Sequence, residues 1–270
     1  MNIKKLINKE YDNLTTTQQK ISDYLLNNST DICYTSLQKL SEDIGCTEVT
    51  LLNYCRRLGF ENYMGLKKAF RSYIESKLNE ISTSPQASII SNEKIYSNYY
   101  HEDLIKSEKT NLDNFYKSID TEELDEIISD IINANYIYIL GHDASRKLGA
   151  FLEMRLDLLN LSPISVDLND IYKTEFILDQ LKKEDLVFYI SFPKYYYATE
   201  IIASKVANSC GNMVLLTDSQ DSPAYDFAKR VLFCPTNTEI FDNSWLSPLA
   251  CINIITNLLA IKLYNLYSKR

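Results

Sequence analysis

The chain has 270 residues, with 28 Lys and Arg against 36 Asp and Glu, two His, six Cys, one Trp and six Gly. That length allows one large domain or two ordinary ones, and 45% hydrophobic residues exclude global disorder. None of the six glycines falls at Gly-x-Gly-x-x-Gly or Gly-x4-Gly-Lys spacing, which excludes nucleotide loops of those kinds.

The N-terminus, Met-Asn-Ile-Lys-Lys, leads into polar sequence without an apolar signal region. The best candidate for a membrane span, Cys251 to Tyr267, is interrupted by Asn253, Asn257, Lys262 and Asn265 and is shorter than the ~18 residues a span needs. The expectation is a cytoplasmic protein without a membrane partner. Cys33, Cys46, Cys55, Cys210, Cys234 and Cys251 are scattered, with no Cys-x-x-Cys, so they read as small buried hydrophobes, and neither a metal nor a cofactor is expected. Charge is unevenly spread: residues 1–80 hold 11 basic and 10 acidic side chains, the remaining 190 hold 17 and 26. An acidic partner therefore meets the first part more easily.

From Leu14 to about Leu78 apolar residues recur at spacings of three and four and no proline intervenes, so the first 80 residues read as all helical. Thr15 or Thr16 with Gln18 or Gln19 forms a capping box opening a helix with Ile21, Tyr24 and Leu25 inward. Ser36 caps a second helix with Leu37, Leu40 and Ile44 on one face, and Gly45 sits where a left-handed stop belongs. A third begins at Thr47, turns Leu51, Tyr54 or Cys55, and Leu58 inward, and ends at Gly59. Two short helices joined by a tight glycine-containing turn make a helix-turn-helix, whose second helix enters the DNA major groove. Thr47, Thr50, Asn53 and Arg57 share the face opposite Leu51 and Leu58. Asn pairs bidentately with adenine. Arg56, Arg57, Lys67, Lys68 and Arg71, against Glu61, supply phosphate contacts.

Residues 82–100 lose the helical period and gain Ser, Asn and Pro, the composition of a linker. Beyond them, apolar runs at Tyr136–Leu140, Ile164–Asp167, Leu186–Ser191, Met213–Asp218 and Val231–Pro235 alternate with helical stretches. Strands without polar alternation, each followed by a helix, imply a five-stranded parallel, doubly wound α/β sheet. The expected domains are 1–78, a linker 79–105, and 106–270.

The segment from Ser36 to Lys67, above all Tyr54, Cys55, Arg56, Arg57, Leu58, Gly59, Phe60, Tyr63, Leu66 and Lys67, resembles the N-terminal domain of RpiR-type bacterial transcriptional regulators. The family often has Ser-Arg where this chain has Leu52-Asn53, which implies a different operator, richer in A·T. Residues from about Leu112 to Leu263 resemble the sugar isomerase (SIS) domain those regulators carry as a phosphosugar sensor, most clearly Thr217 to Ala228. The resemblance implies an all-α helix-turn-helix domain followed by an α/β SIS domain. It also implies a double-stranded DNA operator, a small-molecule effector with sugar phosphates among the candidates, and a homodimer or tetramer. No catalytic residue is expected, although SIS enzymes use a carboxylate base, for which Glu239 after the fifth strand is the position to examine.

Ligands bind beyond the carboxyl ends of such strands, which selects Gly141, His142, Asp143 and Ser145, then Ser191, Lys194 and Tyr196, then Thr217 and Ser222. The family's usual Gly-x-Gly-x-Ser has Asp143 at its second glycine, where a carboxylate repels phosphate. Of Ser-x-Ser-Gly-x-Thr only Ser191 survives, with Pro193, Lys194 and Tyr196 in the other places. Asp143 either caps the following helix or contacts the effector. Lys194 restores positive charge, and Tyr195 to Tyr197 stack on a sugar or on a partner subunit. Two alternatives stand beside the metabolite-controlled regulator: a SIS domain that only dimerises, and a phosphosugar isomerase using Glu239 or His142.

Overall fold

The computed structural model describes residues 3–29, 31–81, 101–238 and 241–268. They form two compact units, Met1–Glu93 and Lys94–Arg270.

The first unit is helical: α1 (Ile3–Glu10), α2 (Thr16–Asn27), α3 (Leu37–Ile44), α4 (Glu48–Arg57) and α5 (Tyr63–Ile81), with 3-10 turns at Tyr11–Asn13 and Asp31–Tyr34. Helix α1 falls within the first 80 residues that read as helical, ahead of the apolar period that starts at Leu14. Ile3 and Ile7 recur at spacing four and are fully buried, but eight residues give too short a window for the period to show. The capping box forms between Thr15 and Gln18, each side chain meeting the other's backbone. Ile21 and Leu25 of α2 are buried as expected, while Tyr24 is only half-buried and Ser22 is inward instead. The Ser22 hydroxyl meets that of Tyr54 at 2.7 Å, satisfying both in the core. Burial pushes the Tyr54 phenol up to about 12, so it stays protonated.

The second unit opens with α6 (His101–Ser118) and α7 (Thr121–Asn133). Then β1 (Ile137–Gly141), β2 (Ile164–Asp167), β3 (Leu186–Ile190), β4 (Met213–Thr217) and β5 (Arg230–Phe233) alternate with α8 (Ala144–Asp157), α9 (Ile171–Gln180) and α10 (Thr199–Ser209), and α11 (Leu246–Tyr267) closes the chain. The strands form one sheet, β2-β1-β3-β4-β5, with every pairing parallel. All five expected strands are present to within a residue or two. Residues 101–105, which the sequence reading gave to the linker, begin α6.

The inner strands β1, β3 and β4 are buried at every position, whereas the outer strands β2 and β5 are half-exposed. This is why the inner runs lack polar alternation. Ile137, Ile139, Phe188, Ile190, Val214 and Leu216 face one side and join a core with Ile127 of α7, Leu152 of α8 and Ile252 and Ile255 of α11. The alternate residues Tyr138, Leu140, Val187, Tyr189 and Leu215 are equally buried and face the other way. Helix α11, at 22 residues and a mean hydropathy of 1.6, is long and apolar enough to cross a bilayer, contrary to the shorter run read from sequence. Its Cys251, Ile252, Ile255 and Leu259 are instead enclosed in the core of this unit. Five of the six cysteines are buried and Cys46 is half-buried.

Candidate functional site

In the helical unit, Ser36 accepts from the backbone of Lys39 to start α3. Gly45 ends it at φ 73°, a left-handed conformation that lets the Cys46 amide reach back to the Ser41 carbonyl at 2.9 Å. Three residues later α4 begins, with Thr47 accepting from the Thr50 amide at 3.2 Å. Leu51, Tyr54 and Cys55 of α4 and the following Leu58 are buried at 6% exposure or less, which fixes which face turns outward. On that outward face Thr47, Asn53, Arg56 and Arg57 are exposed and Thr50 is half-buried. The two threonine hydroxyls meet at 2.8 Å. Arg56 donates to the Asn53 carbonyl oxygen at 2.9 Å and so holds the amide plane in place. That oxygen keeps a second lone pair and the amide nitrogen keeps its donors for a base edge. Arg57 pairs loosely with Glu10 at 3.9 Å while its side chain stays 49% exposed.

The expected basic set needs one correction. Lys68 is exposed, but Lys67 is 2% exposed, its ammonium 5.5 Å from the centre of the Tyr63 ring. The period of α5 turns Lys67 inward beside Leu66, so it is a cation held by the core and not a phosphate contact.

In the α/β unit a cleft of about 410 Å³ opens beyond the carboxyl ends of β1 and β3. Those strands are neighbours in the order β2-β1-β3, and their following loops diverge there. His142, Asp143, Ser145, Ser191, Lys194 and Tyr196 all line it. Three expected residues do not. Gly141 lies at the end of β1, where a Cβ would stand 3.0 Å from the Arg146 amide nitrogen; the glycine makes the tight strand-to-helix turn and contributes no side chain. Thr217, the last residue of β4, and Ser222 beyond it are enclosed at 0% and 4% exposure, outside the cleft.

The rim carries charge in strained places. Asp143 sits at φ 49°, ψ −117°, and its side chain makes no cap to α8, contrary to the capping role allowed from sequence. Lys194 sits at φ 67° and pairs with Asp242 at 2.8 Å, so its charge is answered within the protein. Four described non-glycine residues have positive φ, and these two line the cleft. A positive φ suits glycine, so a residue that carries a side chain at either place holds backbone strain. The His142 ring stacks on Tyr196 at 4.2 Å, and Tyr196 donates to the Leu168 carbonyl at 3.1 Å. Tyr195 donates to Asp218 at 2.8 Å, and burial, with that bond second, pushes its phenol up to about 12.

The sequence reading missed the wall supplied by the loop before α11: Phe241, Asp242, Asn243 and Trp245. The strand-end rule applied to β5 points there, but the reading searched that loop only for a carboxylate, and Glu239 lies outside the described residues. Also missed were Tyr189 and Thr199, which line the cleft at 1% exposure and whose hydroxyls interact with each other. A second cleft of about 500 Å³ lies along the outer strand β5, away from the strand ends, where Arg230 is held by Asp130 and Glu126.

Residues 1–77 match the model of the helix-turn-helix domain, rpiR family, and residues 130–260 match the SIS domain. The chain is an RpiR-type transcriptional regulator. A helix-turn-helix-type transcriptional regulator of Caldanaerobacter subterraneus subsp. tengcongensis is 24% identical, covering 96% of this chain and 91% of its own. The sugar isomerase domain of an RpiR transcription factor from Sphaerobacter thermophilus matches with a TM-score of 0.56 at 20% identity, over 59% of this chain and 89% of its own. The Vibrio vulnificus NanR protein complexed with ManNAc-6P matches with a TM-score of 0.52 at 18% identity, over 99% and 94% of the two chains. These likenesses establish the fold of the RpiR-type chain. Its place among transcriptional regulators sets it apart from the enzymes that share the SIS fold.

Proposed function

We propose that this RpiR-type regulator binds a double-stranded operator through α4 and that a small metabolite in the cleft at the ends of β1 and β3 changes its operator affinity. The observation that carries the DNA half is the outward face of α4: a helix clamped by buried Leu51, Tyr54 and Leu58 that presents Thr47, Asn53, Arg56 and Arg57 to solvent. Lys68 adds a phosphate contact. ManNAc-6P bound to NanR supports a sugar derivative as the effector class. The regulator acts in the cytoplasm, where its operator is.

A physical route from the cleft is present within the α/β unit. Asn243, on the cleft wall, donates to the Pro193 carbonyl at 3.1 Å, and its side-chain oxygen accepts from Thr236 at 2.8 Å. The same loop reaches α6: Asn111, 3% exposed, donates to the Asn237 carbonyl at 2.6 Å, and the Ser244 hydroxyl donates to Glu108. Helix α6 is the first described element of this unit, so a shift of this loop is passed to the end of the unit nearest in sequence to the helical one. Couplings of this kind are worth ~1–3 kcal/mol, about 5–150-fold in affinity. On α11, Ile261, Tyr264 and Tyr267 are 59%, 73% and 70% exposed. That apolar face supports pairing of two copies, which places two reading helices on a two-fold operator.

Mapping the genomic sites bound by the chain, then titrating one such duplex with and without candidate metabolites, tests this reading. Expected is a site that is two-fold symmetric and bound about 10³-fold or more tighter than random duplex, with affinity altered by a ligand that also perturbs Trp245. Binding that shows no preference among sequences contradicts it.

A further inference from the structure

We propose that the cleft of the α/β unit takes a polyhydroxylated ligand without a phosphate, and that the Asp143 carboxylate is the group that excludes phosphate monoesters. The proposal rests on the sensor reading above and specifies its ligand class.

The charge balance at the cleft decides the sign. The positive end of α8 contributes the equivalent of about half an elementary charge. Against it stands Asp143 at the N-terminal boundary of that helix, an exposed carboxylate that does not cap it and whose charge is partly screened by solvent. Lys194 does not tip the balance back, because Asp242 holds it at 2.8 Å. Among the described lining residues the sum of these groups is therefore negative. A phosphate monoester brings about −1.5 to −2 charges of its own into a concave site where field lines are focused. It meets repulsion where a neutral or ammonium-bearing ligand meets none.

The lining combines hydroxyls with aromatic faces, which suits a polyhydroxylated ring. The Tyr189 and Thr199 side chains line the cleft at 1% exposure, their hydroxyls interacting with each other, and a hydroxyl pair keeps further donor and acceptor capacity toward a ligand. Burial holds the Tyr189 phenol protonated, its pKa pushed well up, so it offers a donor and a neutral acceptor. The aromatic walls, His142 stacked on Tyr196 and Phe192 edge-on to Trp245 at 5.6 Å, suit the apolar faces of a sugar ring. Asp143 is also held at φ 49°, ψ −117°, a conformation that glycine adopts freely and aspartate does not. A charged side chain kept at such a position points to a role for its charge.

Trp245 is the chain's one tryptophan and lines the cleft, so its fluorescence reports occupancy directly. The experiment titrates the full chain with matched pairs, namely glucose, glucosamine and N-acetylmannosamine, each beside its 6-phosphate. Expected is at least one pair in which the free sugar binds ~10-fold or more tighter than its phosphate, about 1.4 kcal/mol, a preference that both Asp143→Gly and Asp143→Asn shrink to about threefold or less. Asn keeps the side chain and removes the charge, whereas Gly also relieves the backbone. Loss of the preference in Asp143→Gly alone overturns the proposal, since the charge is then not the discriminator. A phosphate form that binds the wild type as well as or better than its free sugar overturns it too, while leaving the sensor reading intact. Silence of Trp245 to every pair contradicts the sensor reading and the proposal together.

Discussion

The two functional surfaces of this chain are built in opposite ways. The reading face of α4 comes from ten consecutive residues on one helix, whose N-cap, buried stripe and exposed stripe all follow from a 3.6-residue period. The cleft gathers residues from 142 to 245 across four loops and helices, and holds two of them at positive φ. A surface made by local geometry tolerates exchange of its outward residues, because the scaffold lies underneath. One made by converging loops couples each side chain to backbone strain and to partners far along the chain. Substitution therefore separates binding from stability on α4 and mixes them in the cleft.

The largest expected effect breaks the scaffold under α4. Leu51→Ala removes a fully buried side chain and should cost ~2–5 kcal/mol in the unfolding of the helical unit. The melting of the α/β unit should stay unchanged, as two transitions in calorimetry would reveal. Next, Tyr54→Phe strands the buried Ser22 hydroxyl and should cost ~1–3 kcal/mol, read by denaturant titration; Ser22→Ala in the same background should recover part of it. In the cleft the sign reverses. Asp143→Gly should raise the stability of the α/β unit by ~1 kcal/mol, the reverse of the usual penalty for glycine, and an unchanged or lowered midpoint would remove strain from the account. Smallest is the contrast between adjacent lysines. Lys68→Ala should weaken binding to all duplexes alike and reduce the salt slope by ~1, while Lys67→Ala should leave the slope unchanged and lower the melting temperature, since its side chain is enclosed.

The same contrast explains what the sequence made legible. The Ser36 cap, the left-handed Gly45 and the inward Leu51 and Leu58 are readable because caps and periods are local, whereas Thr15 against Thr16 and Tyr54 against Cys55 stay open until the structure chooses the first and buries both of the second. Strand positions were equally plain, since a buried parallel strand carries a dense apolar run. Lys67 has the charge and the basic neighbours of a phosphate contact, but the α5 period turns it inward. Thr217 and Ser222 were placed in the site by the strand-end rule, although the cleft lies at the β1–β3 divergence and β4 is set apart from it. The strand-end rule reaches the loop from Phe241 to Trp245 after β5 but does not say which of its side chains turn into the cleft, and Tyr189 and Thr199 carry no local signal. Their role exists only once five strands have fixed which loops converge.

The central claim, that the outward stripe of α4 reads base sequence, is tested most directly by Asn53→Ala. Its affinity would be measured for a mapped genomic site and for the same duplex with each base pair exchanged in turn. The account predicts a loss of ~1–3 kcal/mol on the native site and relaxed preference at one base pair, an adenine by the chemistry of the amide, with binding to random duplex unchanged. Full retention of discrimination at every position would contradict it.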